Sequence, residues 1–245
     1  MPSPLVEHPR LTLAALFLLG VTACGGQVAN LDEGTPKLEQ AVLLPAPEFD
    51  ETPTGSAPAI AVFAGGCFWG VQGVFQHVEG VLQAVSGYAG GEASTANYET
   101  VLRGQSGHAE AVRVAYDPSR VTYGQLLHVL FSVIHDPTQL DRQGPDIGPM
   151  YRSTIFPQTA EQREIAERYI AQLSIANVYP APIVTTIESD RPFYPAEDYH
   201  QDFMVRNPGN RYIVVHDAPK VRDLEVLFAD IYSAQPVLVF AASQG

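Results

Sequence analysis

Residues 58–245 predict one α/β (α+β) domain with helices packed on a mixed sheet. Three stretches carry that prediction. Residues 59–64 (AIAVFA) are short, apolar and followed by glycine, the pattern of a buried strand. Residues 108–116 (HAEAVRVAY) alternate as a strand and stop at Asp117-Pro118. Residues 122–134 place Tyr123, Leu126, Leu127, Leu130, Phe131 and Ile134 on one helical face. Strands and helices are interleaved, and the first crossover is too short for a wide doubly wound sheet. An apolar content of 46% in 245 residues suits one moderate domain.

The remaining elements follow in order. After strand 59–64, Val71, Val74, Phe75 and Val78 lie at helical spacing and predict a helix over 67–78. Residues 81–86 read as a second strand, ending at Gly87-Tyr88-Ala89-Gly90-Gly91. Residues 92–107 are polar and loop-like, with Tyr98 in their middle. In strand 108–116, His108, Glu110, Val112, Val114 and Tyr116 share one face, and Ala109, Ala111, Arg113 and Ala115 the other. A polar loop at 136–149 holds Asp146 between Pro145 and Gly148. Residues 151–156 predict a strand. Thr159-Ala-Glu-Gln162 reads as a capping box opening a helix to about Leu173. A strand at 183–187, a short helix at 196–205 and a last helix at 221–232 complete the reading, with the tail from 237 unassigned.

The N-terminus is organised differently. Residues 11–23 (LTLAALFLLGVTA) form an apolar run after Arg10, too short to span a bilayer comfortably. That is the shape of a signal peptide over residues 1–23. Val21-Thr22-Ala23-Cys24 resembles a bacterial lipobox, which implies cleavage before Cys24 and a lipid on its sulfur; an ordinary secretory signal with a chance cysteine, or an uncleaved anchor, are the alternatives. The expectation is an exported protein anchored to a membrane through Cys24, facing the periplasm or the cell surface. Residues 24–57 are rich in proline and carry Asp32, Glu33, Glu39, Glu48, Asp50 and Glu51 against Lys37. They read as a mostly disordered tether whose apolar patch, residues 41–44, is placed to dock on the domain. A net charge of −13 offers no basic stripe, which excludes nucleic acid as a partner.

The chemistry centres on Gly65-Gly66-Cys67-Phe68-Trp69-Gly70. Cys67 falls at a strand-to-helix turn, where free amides and the helix dipole favour an anion and lower a thiol pKa. On pattern alone it is equally a buried core cysteine at a tight turn. Glu110 is either a partly buried carboxyl able to give up a proton or a residue at the wet edge of its strand. Tyr98 and Tyr151 are hydrogen-bond donors or ordinary packing, and Asp146 reads first as a turn residue. His108 and His200 are each candidates to pair with Cys67. There is no HExxH, no CxxC and no GxGxxG, so neither a metal nor a cofactor is expected.

Five motifs in order extend this reading: Gly66-Cys67-Phe68-Trp69-Gly70, Ser86-Gly87-Tyr88-Ala89-Gly90-Gly91, Gly107-His108-Ala109-Glu110, Tyr151-Arg152-Ser153 and Tyr199-His200-Gln201. Over about residues 58–220 the chain resembles the A-type peptide methionine sulfoxide reductases. The resemblance implies a two-layer sandwich with a ferredoxin-like core, and reduction of the S epimer of methionine sulfoxide, free or in protein. It implies that Cys67 is the nucleophile, Glu110 the essential acid, and Tyr98 and Tyr151 the pair that binds the sulfoxide oxygen. Phe68 and Trp69 match the wall that holds the substrate methyl group. Asp146 matches an aspartate that orients substrate and solvent, and His200 falls among the substrate-binding residues.

The pattern is departed from in one respect. Many relatives carry a recycling cysteine in a Gly-Tyr-Cys stretch after Asn-Pro. Here the run is Asn207-Pro208-Gly209-Asn210-Arg211-Tyr212-Ile213, and no cysteine follows Cys67. The expected partner is therefore an external thiol: a thioredoxin-like or glutaredoxin-like protein, or a small thiol. A monomer is the default, since no helix has a coiled-coil seam. Two other classes stay open at this point. One is a different thiol enzyme, a peroxidase or cysteine hydrolase. The other is an anchored binding protein without activity, for which Cys67 would be unreactive.

Overall fold

A computed structural model describes residues 1–2, 41–52 and 57–240. The signal-peptide stretch after residue 2, Cys24 and the first part of the expected tether lie outside the described residues. In chain order the elements are β1 Ala59–Gly65, α1 Phe68–Gln76, β2 Val81–Ala89, α2 Tyr98–Leu102, β3 Ala109–Tyr116, α3 Tyr123–Val129, β4 Arg142–Gln143, β5 Asp146–Ile147, β6 Ser153–Ile155, α4 Ala160–Ala176, β7 Thr186–Ile187, β8 Phe193–Pro195, α5 Phe203–Arg206 and α6 Ala218–Leu227.

The main sheet runs β7-β6-β1-β3-β2-β8. Its pairs are antiparallel except β6 with β7, which are parallel. The sheet is therefore mixed, with helices packed on it, as in the ferredoxin-like α/β fold. Strand alternation divides the buried residues between two clusters. Phe63, Val112, Val114 and Tyr116 join Val71 and Phe75 of α1, Leu126 and Leu127 of α3, and Ile165 and Tyr169 of α4. Val62, Ala64, Ala109, Ala111 and Phe156 form a smaller cluster of their own. Phe63 stacks on both Phe75 and Tyr123, with centroids 5.4 and 5.7 Å apart. Truncating such a ring to alanine costs about 3–5 kcal/mol.

Several local expectations need correction. Residues 122–134 form α3 and then a π turn, Leu130–Ile134, and a complete capping box at Thr122 and Gln125 starts the helix. The box expected at Thr159 is only half formed. Thr159 accepts from the Gln162 amide at 3.1 Å, but the Gln162 side chain accepts from Gln158 and donates to Ile60. Tyr98 opens a short helix rather than sitting in a loop, and Tyr151 ends a 3-10 turn, Pro149–Tyr151, rather than starting a strand. The helix expected over 196–205 is interrupted by Asp202, whose φ of +54° is left-handed. What forms instead is a 3-10 turn, Asp198–His200, and α5. The last helix starts earlier than expected, at Ala218, and ends at Leu227.

Residues 41–52, expected within the tether, are packed on the domain. Leu44 is buried, and its carbonyl accepts from His128 at 2.7 Å. Tyr169 donates to the Pro45 carbonyl at 2.9 Å. Asp50 and Glu51 accept the Gly124 and Tyr123 amides at the start of α3, both at 2.8 Å. Free amides at a helix start favour carboxylates, which explains why these two acidic residues are held there. The chain after α6 is packed as well, as far as it is described. Tyr232 bridges to Val78, the Ser233 amide donates to the His77 carbonyl at 2.7 Å, and the Val237 amide donates to the Gln76 carbonyl at 2.9 Å.

Candidate active site

Cys67 is the N-cap residue of α1, partly exposed. The turn that presents it needs glycine on both sides. Gly66 has φ +94°, and a Cβ there would lie 2.6 Å from the Gln143 side chain. A Cβ on Gly70 would lie 2.2 Å from Asp217 Oδ1. These two glycines let the β4–β5 hairpin and the start of α6 close against the cysteine turn.

Glu110 lies on the helix-packed face of β3, opposite Tyr88, and is 2% exposed. Its Oε2 accepts the Phe68 amide at 3.0 Å, which fixes the carboxyl beside the cysteine turn. Burial raises its pKa from 4.5 to about 8, Asp146 and Asp217 add to the rise, and the Phe68 amide opposes it. Glu110 is thus mostly a neutral acid at pH 7. With Oε2 occupied by the amide, Oε1 is the oxygen free to carry the proton.

The Cys67 thiol corrects the expectation of a lowered pKa. Burial of the sulfur pushes it well above 9.0, and Glu110, Asp217 and Asp146 push the same way. The Trp69 amide at the helix start pulls it down but is outweighed. The helix start does pull the thiol down, as its free amides dictate. Desolvation and three acids gathered around the sulfur from distant parts of the chain, none visible in the local pattern, set the net direction.

Tyr98 and Tyr151 face this same group of charges. Desolvation raises the pKa of each phenol, and Glu110, Asp146 and Cys67 raise both further. Both are therefore firm donors at neutral pH. Tyr98 is held by Glu197, which accepts the Tyr98 amide at 3.0 Å and the Tyr88 hydroxyl at 2.8 Å. Tyr151 is held by its neighbour Arg152, which donates to the Pro149 and Gly107 carbonyls, both at 3.0 Å, and pairs with Glu188 at 2.9 Å. Asp146 sits on β5 and accepts a hydrogen bond from the Tyr212 hydroxyl.

The aromatic wall is built in two parts. Phe68 has no exposed surface and packs between Tyr88 and His200, at 5.8 and 5.0 Å. Trp69 is partly exposed. Its indole N–H donates to His200 Nδ1 at 3.2 Å, Phe203 stacks flat on it at 3.7 Å and 7°, and Tyr212 meets it edge-on at 6.0 Å. Because Nδ1 accepts, the proton of neutral His200 is on Nε2. His200 therefore braces the indole and is not a base for Cys67. His108 is structural: its Nδ1 accepts the Gly91 amide at 3.2 Å and its Nε2 donates to the Glu92 carbonyl at 3.0 Å.

The structure brings Cys67, Glu110, Tyr98, Tyr151, Asp146, Trp69 and His200 to one place. It adds Tyr212, Phe203 and Asp217, which the sequence reading did not select. Tyr212 and Asp217 come from the C-terminal third, and no local pattern distinguishes them from packing or cap residues. Asp217 is fully buried, and among the described residues its two oxygens have no hydrogen-bond partner. Lys220 lies 3.9 Å away, and burial lifts the Asp217 pKa from 3.8 to about 7.

A family model described as peptide methionine sulfoxide reductase matches residues 59–230. A peptide methionine sulfoxide reductase of Mesorhizobium japonicum is 63% identical over 183 residues, covering 75% of this chain and 94% of that protein. One from Synechocystis is 47% identical over 196 residues, covering 79% and 92%. Among solved structures, reduced Mxr1 from Saccharomyces cerevisiae is similar with a TM-score of 0.57 and 30% identity, covering 69% of this chain and 96% of that one. Methionine sulfoxide reductase A of Corynebacterium diphtheriae follows at 0.51 and 32%, covering 64% and 78%. With most of its length matched by that family model, and by relatives this similar, the chain belongs to the peptide methionine sulfoxide reductase family.

Proposed function

We propose that this enzyme reduces methionine-S-sulfoxide in peptides with Cys67 as nucleophile and Glu110 as proton donor. The observation that carries the assignment is the Phe68 amide bond to Glu110, which holds a buried, neutral carboxyl at the cysteine turn. The sulfoxide oxygen accepts hydrogen bonds from Tyr98 and Tyr151 and takes the Glu110 proton. Protonation makes the sulfur electrophilic, and the Cys67 sulfur attacks it. The thiol proton replaces the one Glu110 gave up, so the raised thiol pKa keeps that proton in store. In the net step the oxygen passes from substrate sulfur to Cys67. The substrate is reduced by two electrons and Cys67 is oxidised by two, to a sulfenic acid. The Trp69 face, backed by Phe68, takes the methyl group and excludes water, and Asp146 orients substrate through its bond to Tyr212.

No cysteine follows Cys67, and Ile213, which follows Tyr212 where the Gly-Tyr-Cys pattern has its cysteine, is buried. An external thiol therefore attacks the sulfenic acid, releasing water and leaving a mixed disulfide. A second thiol frees Cys67. The donor class is a thioredoxin-like or glutaredoxin-like protein, or a small thiol. The sequence also supports lipidation of Cys24 and export. Mass spectrometry of the mature N-terminus, showing a lipidated Cys24 or an unmodified one, decides that point.

The reaction is tested with separate S and R epimers of amine-blocked methionine sulfoxide and dithiothreitol. Product from the S epimer alone, lost in Cys67→Ser, is the expected result. No product from either epimer, with Cys67 still open to alkylation, overturns the assignment in favour of another thiol chemistry.

A further inference from the structure

The C-terminal segment reaches the Trp69 wall through one buried carboxylate. Asp202 is 2% exposed, with φ +54°. Aspartate enters left-handed backbone more readily than most residues, and here buried bonds hold it there. The Asp202 amide donates to Gln72 Oε1 at 2.9 Å. Its Oδ1 accepts from Gln76 at 2.7 Å and from the Val239 amide at 3.0 Å, and its Oδ2 accepts the Phe240 amide at 3.0 Å. Two of these three carboxylate bonds come from the C-terminal segment, which is itself pinned to α1 by the Val237 amide on the Gln76 carbonyl. On either side of Asp202 stand the two residues that hold the indole. His200 accepts its N–H, and Phe203 stacks flat on its face. This segment lies outside the residues, 59–230, that match the family model.

We propose that residues 237–240 are a strap which, through the Asp202 carboxylate, presses His200 and Phe203 onto Trp69 and so sets the cleft for the substrate methyl group. Asp202 is a positioning residue in this scheme. The link to catalysis rests on the proposed role of Trp69, but the link to the indole does not. Charge-assisted bonds are the stronger kind. An asparagine tolerates the same backbone and offers only one acceptor oxygen, so it cannot keep all three bonds.

The test uses the fact that Trp69 is the only tryptophan in the chain. Three variants are made in the full chain: deletion of residues 236–245, Asp202→Asn, and Asp202→Gly. Emission and acrylamide quenching of Trp69 are read beside kcat and KM for the S-sulfoxide. The strap predicts red-shifted, more quenchable emission in all three. It also predicts a KM raised about three- to tenfold with kcat within about twofold. Asp202→Gly removes the carboxylate while relieving the backbone, so wild-type behaviour there would show that only backbone strain mattered and overturn the proposal. Wild-type emission and quenching in Asp202→Asn overturn it too, and that variant decides alone if the shortened chain does not fold by circular dichroism. An inactive wild-type enzyme would refute the proposed reaction, while the Trp69 spectra would still decide on the strap.

Discussion

Glu110→Gln should lower activity and raise stability, and the pH dependence of both effects follows from one buried carboxyl. The substituted amide oxygen still accepts the Phe68 amide, now 3.0 Å from Oε2, so the local fold is kept. What is lost is the proton. Removing a general acid costs about 10²–10⁴ in kcat, or roughly 3–5 kcal/mol of barrier. With a pKa of about 8, wild-type Glu110 is mostly protonated at pH 7. Its kcat/KM should therefore fall above pH 8, by about tenfold for each pH unit, and the variant should lack that limb. The sign for stability runs the other way. Folding raises the carboxyl pKa from 4.5 to about 8. Its favourable contribution is complete below 4.5 and is lost as pH rises through 8. At ~1.4 kcal/mol for each unit the whole effect is at most roughly 5 kcal/mol. Melting curves of the two proteins from pH 5 to 9 should diverge, the variant gaining several degrees at the alkaline end. Turnover of the S-sulfoxide measured over the same range completes the assay. Wild-type kcat/KM in the variant would refute the acid assignment, and a Tm difference that does not change with pH would refute the burial argument.

Three other outcomes follow from named contacts. Because burial and three neighbouring acids raise the Cys67 thiol, iodoacetamide should alkylate the free enzyme at pH 8 more slowly than an unhindered cysteine, with the rate climbing above pH 9; rapid modification at pH 7 would contradict this. Tyr98→Phe and Tyr151→Phe should each cost about tenfold in kcat/KM with the fold unchanged, and the double variant more than either, as expected of two donors to one oxygen; a neutral double variant would remove the tyrosines from the mechanism. Leu44→Ala should destabilise the domain by about 2–3 kcal/mol in chemical denaturation and leave kcat/KM at its wild-type value, because the irregular segment 41–52 packs on α3 and α4; unaltered stability would mean that docking contributes nothing.

The parts of this protein that could be read in advance are those whose signal is local. The apolar run of β1, the alternation of β3 and the helical stripe of α3 each declare themselves within a dozen residues. Cys67 and Glu110 stand out locally only as candidates, each equally readable as a packing or strand-edge residue; the ordered motifs of the resemblance are what single them out. The thiol pKa could not be read in advance, since Glu110, Asp146 and Asp217 reach the sulfur from three separate regions. Asp202 illustrates the same limit for secondary structure. Residues 196–205 carry a helical pattern, and only buried bonds from Gln76, Val239 and Phe240 show why the backbone turns left-handed there. Asp50 and Glu51 looked like tether charges because their partners, the amides of α3, lie more than seventy positions away in the chain.

The protonated state of the resting thiol bears on survival in the oxidising surroundings where such an enzyme is needed. Thiolates attack the O–O bond of hydroperoxides, and the rate follows the thiolate fraction. A sulfur kept neutral by burial and by the carboxyls around it reacts poorly with hydroperoxides. A sulfoxide differs because it brings a basic oxygen into reach of Glu110 and turns electrophilic as it takes the proton. The burial and acids that quiet Cys67 thereby act as a filter between oxidants, slowing oxidation of the thiol to a sulfenic acid by peroxide, which would spend reductant without repairing a methionine. That filter keeps the resting sulfur available for sulfoxide, the oxidant whose reduction returns methionine.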